Sequence, residues 1–107
     1  MTENEKRIFQ IIGSSGDSKA KAFQALECVK NKDFAGAREL LAAAKEADVE
    51  AHNAQTQILV EALNATDSDP ESISLLMVHA QDHYMTSQLA RDLIEELVDV
   101  FEAYSGN

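Results

Sequence analysis

One proline, one cysteine, four glycines and no tryptophan among 107 residues set the first limits on this chain. So little proline and glycine leaves few points at which a helix must stop, and the Ala- and Leu-rich remainder, 45% apolar overall, is the composition of a helical protein. Nothing in it reads as strand. The lone Cys28 excludes an intrachain disulfide framework and suits a reducing compartment, where it serves as a small buried hydrophobe. No apolar run approaches the roughly 20 residues that cross a bilayer. The N-terminus, Met1-Thr2-Glu3-Asn4-Glu5-Lys6-Arg7, lacks the apolar core of a signal peptide. A cytoplasmic, soluble protein is expected. Basic residues are also scarce: nine against nineteen acidic ones give a formal charge of −10. That charge repels nucleic acid and anionic membranes, and neither is expected as a partner.

The length is that of one domain, residues 1–107, with a modest core. Apolar positions Ile8, Ile11, Ile12, Ala22, Phe23, Leu26 and Val29 return to one helical face. They predict a single first helix over about 3–31, distorted near Gly13 to Gly16. After Asn31-Lys32-Asp33, with Asp33 as cap, a second helix over about 33–63 carries a stripe from Phe34 to Leu63 whose middle is built of alanines. The stretch from Asn64 to Pro70 is a loop by composition. Asp69 as cap, Pro70 at the first helical position and Glu71 at the positive end of the dipole predict a third helix over about 70–104. Short turns make neighbouring helices antiparallel, which gives an all-α three-helix bundle. The first half of the third helix is apolar around most of its girth, and that implies a second surface to cover it, hence a homo-oligomer.

Within that apolar helix, His79, Asp82 and His83 stand at i, i+3 and i+4 on one face, with Thr86 a turn further on. Neutral imidazole can accept a phosphoryl group, bind a metal or move a proton, and the spacing alone does not choose. Hydrogen-bonded histidines at a helix interface would explain the pair equally well. A zinc-protease motif is excluded, because Ala80 rather than glutamate follows His79. Asp82 is seven residues from both Leu75 and Leu89 and shares their seam, so it must be paired, protonated or metal-bound. If the seam lies on a rotation axis, several copies of Asp82 meet there and call for a divalent cation, and an oxygen-only ligand set favours magnesium over zinc.

The run His79-Ala80-Gln81-Asp82-His83 followed by Met85-Thr86, the second-helix element Glu50-Ala51-His52 with Gln55-Thr56, and Lys32-Asp33-Phe34 with Ala37 resemble one family. It is the enzyme IIA component of the lactose/cellobiose family of the bacterial sugar phosphotransferase system, and the resemblance covers nearly the whole chain. It implies a homotrimer forming a nine-helix bundle. It implies that His79 receives a phosphoryl group from the phosphocarrier HPr and passes it to enzyme IIB, with enzyme IIC as the membrane permease. It places Gln81 and His83 beside the phosphorylated histidine and Asp82 of each subunit around a divalent ion, Mg2+, on the trimer axis. The sugar implied is a β-linked disaccharide of the cellobiose/chitobiose kind rather than lactose. Two positions depart from the family pattern: Tyr84 stands where leucine is usual, and Gly16-Asp17-Ser18-Lys19-Ala20 replaces an Ala-Arg-Ser element after the glycine.

On a third helix starting at Pro70, His79 lies about two and a half turns in, beyond reach of the helix dipole. Stabilisation of a phosphohistidine would then fall to side chains, with Gln81, His83 and Thr86 as possible donors. His52 is expected to be a packed or partner-facing residue rather than a nucleophile. Two other classes compete: a histidine phosphotransfer domain of two-component signalling, which usually has four helices, and a non-enzymatic helical adaptor, which leaves the histidine cluster unexplained.

Overall fold

The computed structural model describes residues 1–64 and 74–106. Three helices, α1 (Glu3–Lys30), α2 (Phe34–Asn64) and α3 (Leu75–Ala103), form a rod with principal extents of 61 × 20 × 20 Å. Among the described residues there is no strand, and no helix is long and apolar enough to cross a membrane.

α1 begins where the Thr2 hydroxyl accepts a hydrogen bond from the Glu5 backbone N–H, and it runs without a break through Gly13 and Gly16. Packing overrides the glycines' cost here: Ile11, Ser15, Ser18 and Ala22, on one face of this stretch, are all fully buried. The turn to α2 is tight. Lys32 adopts a left-handed backbone (φ 59°), and the Asp33 carboxylate accepts from the Gly36 N–H at 2.9 Å, capping α2 as its sequence predicts. Arg38, one turn into α2, reaches Asp99 and Glu102 near the end of α3.

α3 starts later than its sequence suggests. The cap signals Asp69, Pro70 and Glu71 lie outside the described residues, and the helix begins at Leu75 under a Ser74 cap whose hydroxyl accepts from the Met77 N–H at 3.1 Å. Ser74 is extended (φ −82°, ψ 156°), so a helix over 70–104 does not continue through it.

Among the described residues the core has two apolar clusters. Ala22, Ala25, Val29, Ala37, Leu41, Ile94 and Val98 fill one end, and Ile8, Ile11, Ala51, Ala54, Ala80 and Tyr84 fill the other. Between them along each helix come the buried polar residues Ser15 and Ser18 of α1, Asp48 of α2 and Ser87 of α3. Asp48 is 3% exposed and is neutralised by Arg91 at 2.8 Å, with Ser87 donating to its second oxygen at 2.9 Å. A buried carboxylate with two such donors is compensated; alone it would be expensive.

Candidate functional site

His79 and His83 do meet, as their spacing requires. Their Nε2 atoms are 3.1 Å apart and the rings pack edge to face with centroids 4.5 Å apart. Two Nε2 atoms in contact share one proton, so one ring donates and the other offers its lone pair. His79 is exposed and His83 half-buried, so the pair stands at the surface of the rod.

Beside it is a hollow of about 460 Å³ lined by Leu75, Leu76, Val78, His79 and Asp82. Asp82 sits on the same exposed seam as Leu75 and Leu89, and no donor among the described residues meets its carboxylate. Nor do these residues include any group of three His, Cys, Asp or Glu side chains arranged to hold a metal. Among the described residues Asp82 is thus a lone anionic donor. A divalent ion would fit it only with further oxygen ligands brought beside it.

Gln81 is not part of the histidine pair. Two residues on from His79, it is turned about 200° around the helix, and its Oε1 accepts from Gln55 Nε2 of α2 at 3.0 Å. Thr86 is also lost as a donor, because its single hydroxyl proton goes to the Asp82 carbonyl at 2.7 Å.

The shorter α3 alters one electrostatic expectation. With the helix starting at Leu75, His79 is its fifth residue rather than lying two and a half turns in. The imidazole tilts toward the N-terminus, as helix side chains do, and stands about one turn from the positive end of the dipole. The helix end thus contributes to the potential at His79, although side chains remain the nearer groups.

The residues that hold this region to α2 were not singled out as a network by sequence. His52 Nδ1 lies 3.1 Å from the Tyr84 hydroxyl, which also accepts from Gln88 at 3.0 Å. With Asp48–Arg91 and Gln55–Gln81 these bonds form a polar ladder along the antiparallel α2–α3 seam. His52, expected to be packed or partner-facing, is exposed and tied to α3 through the Tyr84 hydroxyl. Tyr84 is buried within the apolar cluster, and its hydroxyl pKa is raised above 10.0 by that burial and by the nearby Asp48 charge.

Three long helices presenting a histidine pair on one flank define an all-α protein with a surface imidazole site. The chain belongs to the lactose/cellobiose IIA family of the phosphotransferase system: the model for "PTS system, Lactose/Cellobiose specific IIA subunit" matches residues 6–102. It is 38% identical over 100 residues to the N,N'-diacetylchitobiose-specific EIIA component of Escherichia coli K12, covering 94% of this chain and 84% of that protein. With the lactose-specific EIIA component of Staphylococcus epidermidis it shares 34% identity over 94 residues, 88% of each chain. Among solved structures, the cellobiose-specific enzyme IIA of Bacillus anthracis superposes with a TM-score of 0.89 at 34% identity, covering 100% of this chain and 95% of that one. The IIA(chitobiose)–HPr complex of Escherichia coli is similar over 99% of this chain and 100% of its own matched chain, with a TM-score of 0.79 and 35% identity.

Proposed function

We propose that this IIA subunit is a cytoplasmic phosphocarrier in which His79 accepts a phosphoryl group from phospho-HPr and passes it to enzyme IIB, in the uptake of a β-linked disaccharide of the cellobiose/chitobiose kind. The observation that carries this is the exposed His79 imidazole held by His83 at 3.1 Å, beside a hollow it lines with Leu75, Leu76, Val78 and Asp82. The similar IIA(chitobiose)–HPr complex supports HPr as donor.

Phosphoryl transfer needs placement and charge stabilisation rather than covalent help, and the pair offers both. The His79 Nε2 lone pair, which His83 Nε2–H orients beforehand, forms the new bond to phosphorus. The donor's bond to phosphorus breaks and its electron pair stays with the donor; the His79 ring sheds its remaining N–H proton to water. His83 N–H, displaced from the lone pair, then donates to a phosphoryl oxygen. A hydrogen bond to a charged group of this kind contributes about 1.5–3 kcal/mol.

The exposed α3 seam supports assembly as a homotrimer, a nine-helix bundle with α3 innermost. Three Asp82 carboxylates would then converge on the axis and could hold a divalent cation, Mg2+ being the ion suited to oxygen ligands. Such an ion would neutralise their mutual repulsion.

Incubation with phosphoenolpyruvate, enzyme I and HPr tests the central claim. An acid-labile mass increase is expected on His79, and His79→Ala should abolish it while leaving helicity unchanged. Retained acceptance by H79A would remove the assignment.

A further inference from the structure

We infer that His79 and His83 form a chelating site for a divalent transition-metal ion that prefers imidazole (Zn2+, Ni2+ or Cu2+), and that such an ion competes with the phosphoryl group for Nε2 of His79. The competition rests on the reading of His79 as phosphoryl acceptor. The metal site itself does not.

The geometry of the pair carries the inference, because its two Nε2 atoms lie 3.1 Å apart. Imidazole nitrogens bind zinc at about 2.0–2.1 Å, so a metal equally far from both would see them at an angle of about 95–100°. That falls between the square-planar geometry of Cu2+ and the tetrahedral geometry of Zn2+. His79 is exposed and the second torsion of a histidine is soft, so a small turn of its ring aims both lone pairs at one point. The site also needs little ordering. Both residues stand on α3 one turn apart, and the adjacent Ala80 and Tyr84 are buried in the apolar cluster, which fixes the backbone beneath the pair. The Asp82 carboxylate between them in sequence and the formal charge of −10 draw cations to this flank.

Two protein ligands leave the remaining coordination positions to water, which makes this an open chelate rather than a closed centre. A pair of imidazoles favours Cu2+, Ni2+ and Zn2+ over the oxygen-seeking Mg2+. In the neutral pair one Nε2 carries the shared proton. On binding, that proton moves through water to Nδ1 of the same ring, both Nε2 lone pairs bond to the metal and two metal-bound waters leave. With its lone pair engaged, His79 forms no bond to phosphorus there. A phosphoryl group on the same nitrogen excludes the metal in turn.

Full-length protein, freed of metal with EDTA and dialysed, is titrated with Zn2+ by calorimetry before and after phosphorylation with phosphoenolpyruvate, enzyme I and HPr. His79→Ala and His83→Ala should each weaken binding at least about tenfold, since changes even outside a metal's ligand shell cost about 10–100-fold. His52→Ala, on α2, should leave the affinity unchanged, and excess Mg2+ should not displace the Zn2+. Phosphorylation should weaken binding to the same degree as His79→Ala. Wild-type affinity in either His79→Ala or His83→Ala, a loss in His52→Ala, displacement by Mg2+, or unchanged affinity after phosphorylation overturns the inference. Should an alanine variant lose helicity, glutamine at the same position takes its place. Failure of the wild-type protein to take phosphate would remove the reading of His79 as acceptor, while the two alanine variants still decide the metal site.

Discussion

At the scale of single residues, Tyr84 joins the apolar core to the polar seam between α2 and α3. Its ring occupies an apolar cluster with Ile8, Ile11, Ala51, Ala54 and Ala80, and its hydroxyl is satisfied at the rim by His52 and Gln88. A leucine in this place would fill part of the same space but leave both polar groups to water. Burial raises the Tyr84 pKa above its ordinary 10.0. The folded state therefore keeps its proton where the unfolded chain has lost it, and stability falls as pH rises through the interval above about 10. Tyr84→Phe should lower stability at neutral pH by about 1 kcal/mol, through the lost hydrogen bonds. It should also flatten the alkaline decline, so that wild type and Y84F converge as pH rises. Parallel unfolding curves at pH 8 and above pH 10 check this, and a constant gap would show that the hydroxyl does not couple folding to pH. Of the site residues, the His79–His83 contact was legible from i, i+4 spacing alone. The partner of Gln81 was not, because a carboxamide bonds equally well to water, to a neighbouring helix or to another subunit, and only the register of α2 against α3 decides.

For whole elements, local cap chemistry located the start of α2 and misplaced the start of α3, and the contrast has a physical cause. The turn at Asn31-Lys32-Asp33 has a single capping candidate adjacent to the apolar stripe, and Asp33 takes that role at 2.9 Å. Before α3 two caps compete, Asp69 ahead of Pro70 and Ser74 ahead of Leu75, and propensity favours the first. In the fold Ser74 caps the helix, which brings His79 within about one turn of its positive end. In α1 the periodic burial of Ile8, Ile11, Ser15, Ser18 and Ala22 carries one helix through two glycines, as the spacing of the apolar residues predicts. The α2 turn offers a direct test with opposite signs at adjacent positions. Asp33→Ala removes the cap and should cost about 1 kcal/mol. Lys32→Gly relieves a left-handed backbone at φ 59° and should gain about 1 kcal/mol. Chemical denaturation of the two variants and their combination should show near cancellation; a loss in K32G would mean that the Lys32 side chain contributes more than its backbone costs.

On the scale of the whole molecule, α3 is covered on one face and bare on the other. Ala80, Tyr84, Ser87, Ile94 and Val98 of α3 face α1 and α2, while Leu75 (84% exposed), Met85 (60%), Leu89 (59%) and Leu93 (55%) lie open along its far face. A run of large apolar side chains this long is more than a monomer usually leaves in water, and it is what a subunit interface needs. Asp82 interrupts the run on the seam between Leu75 and Leu89. If three such seams converge, the carboxylates repel one another, and the trimer depends on whatever neutralises them. Asp82→Leu removes both the repulsion and the need for neutralisation, and replacing a buried ionic group by a packed apolar one is often stabilising by about 1–4 kcal/mol. The variant should therefore remain trimeric in EDTA and melt at a higher temperature than wild type, whereas wild type should lose stability on chelation. Sedimentation equilibrium with and without EDTA gives the masses, and thermal unfolding gives the ranking. Because Asp82 lies i+3 from His79 and makes no bond to it, D82L should still accept phosphate. Monomers in D82L would put Asp82 away from any axis, and the bare face of α3 would then need a different occupant.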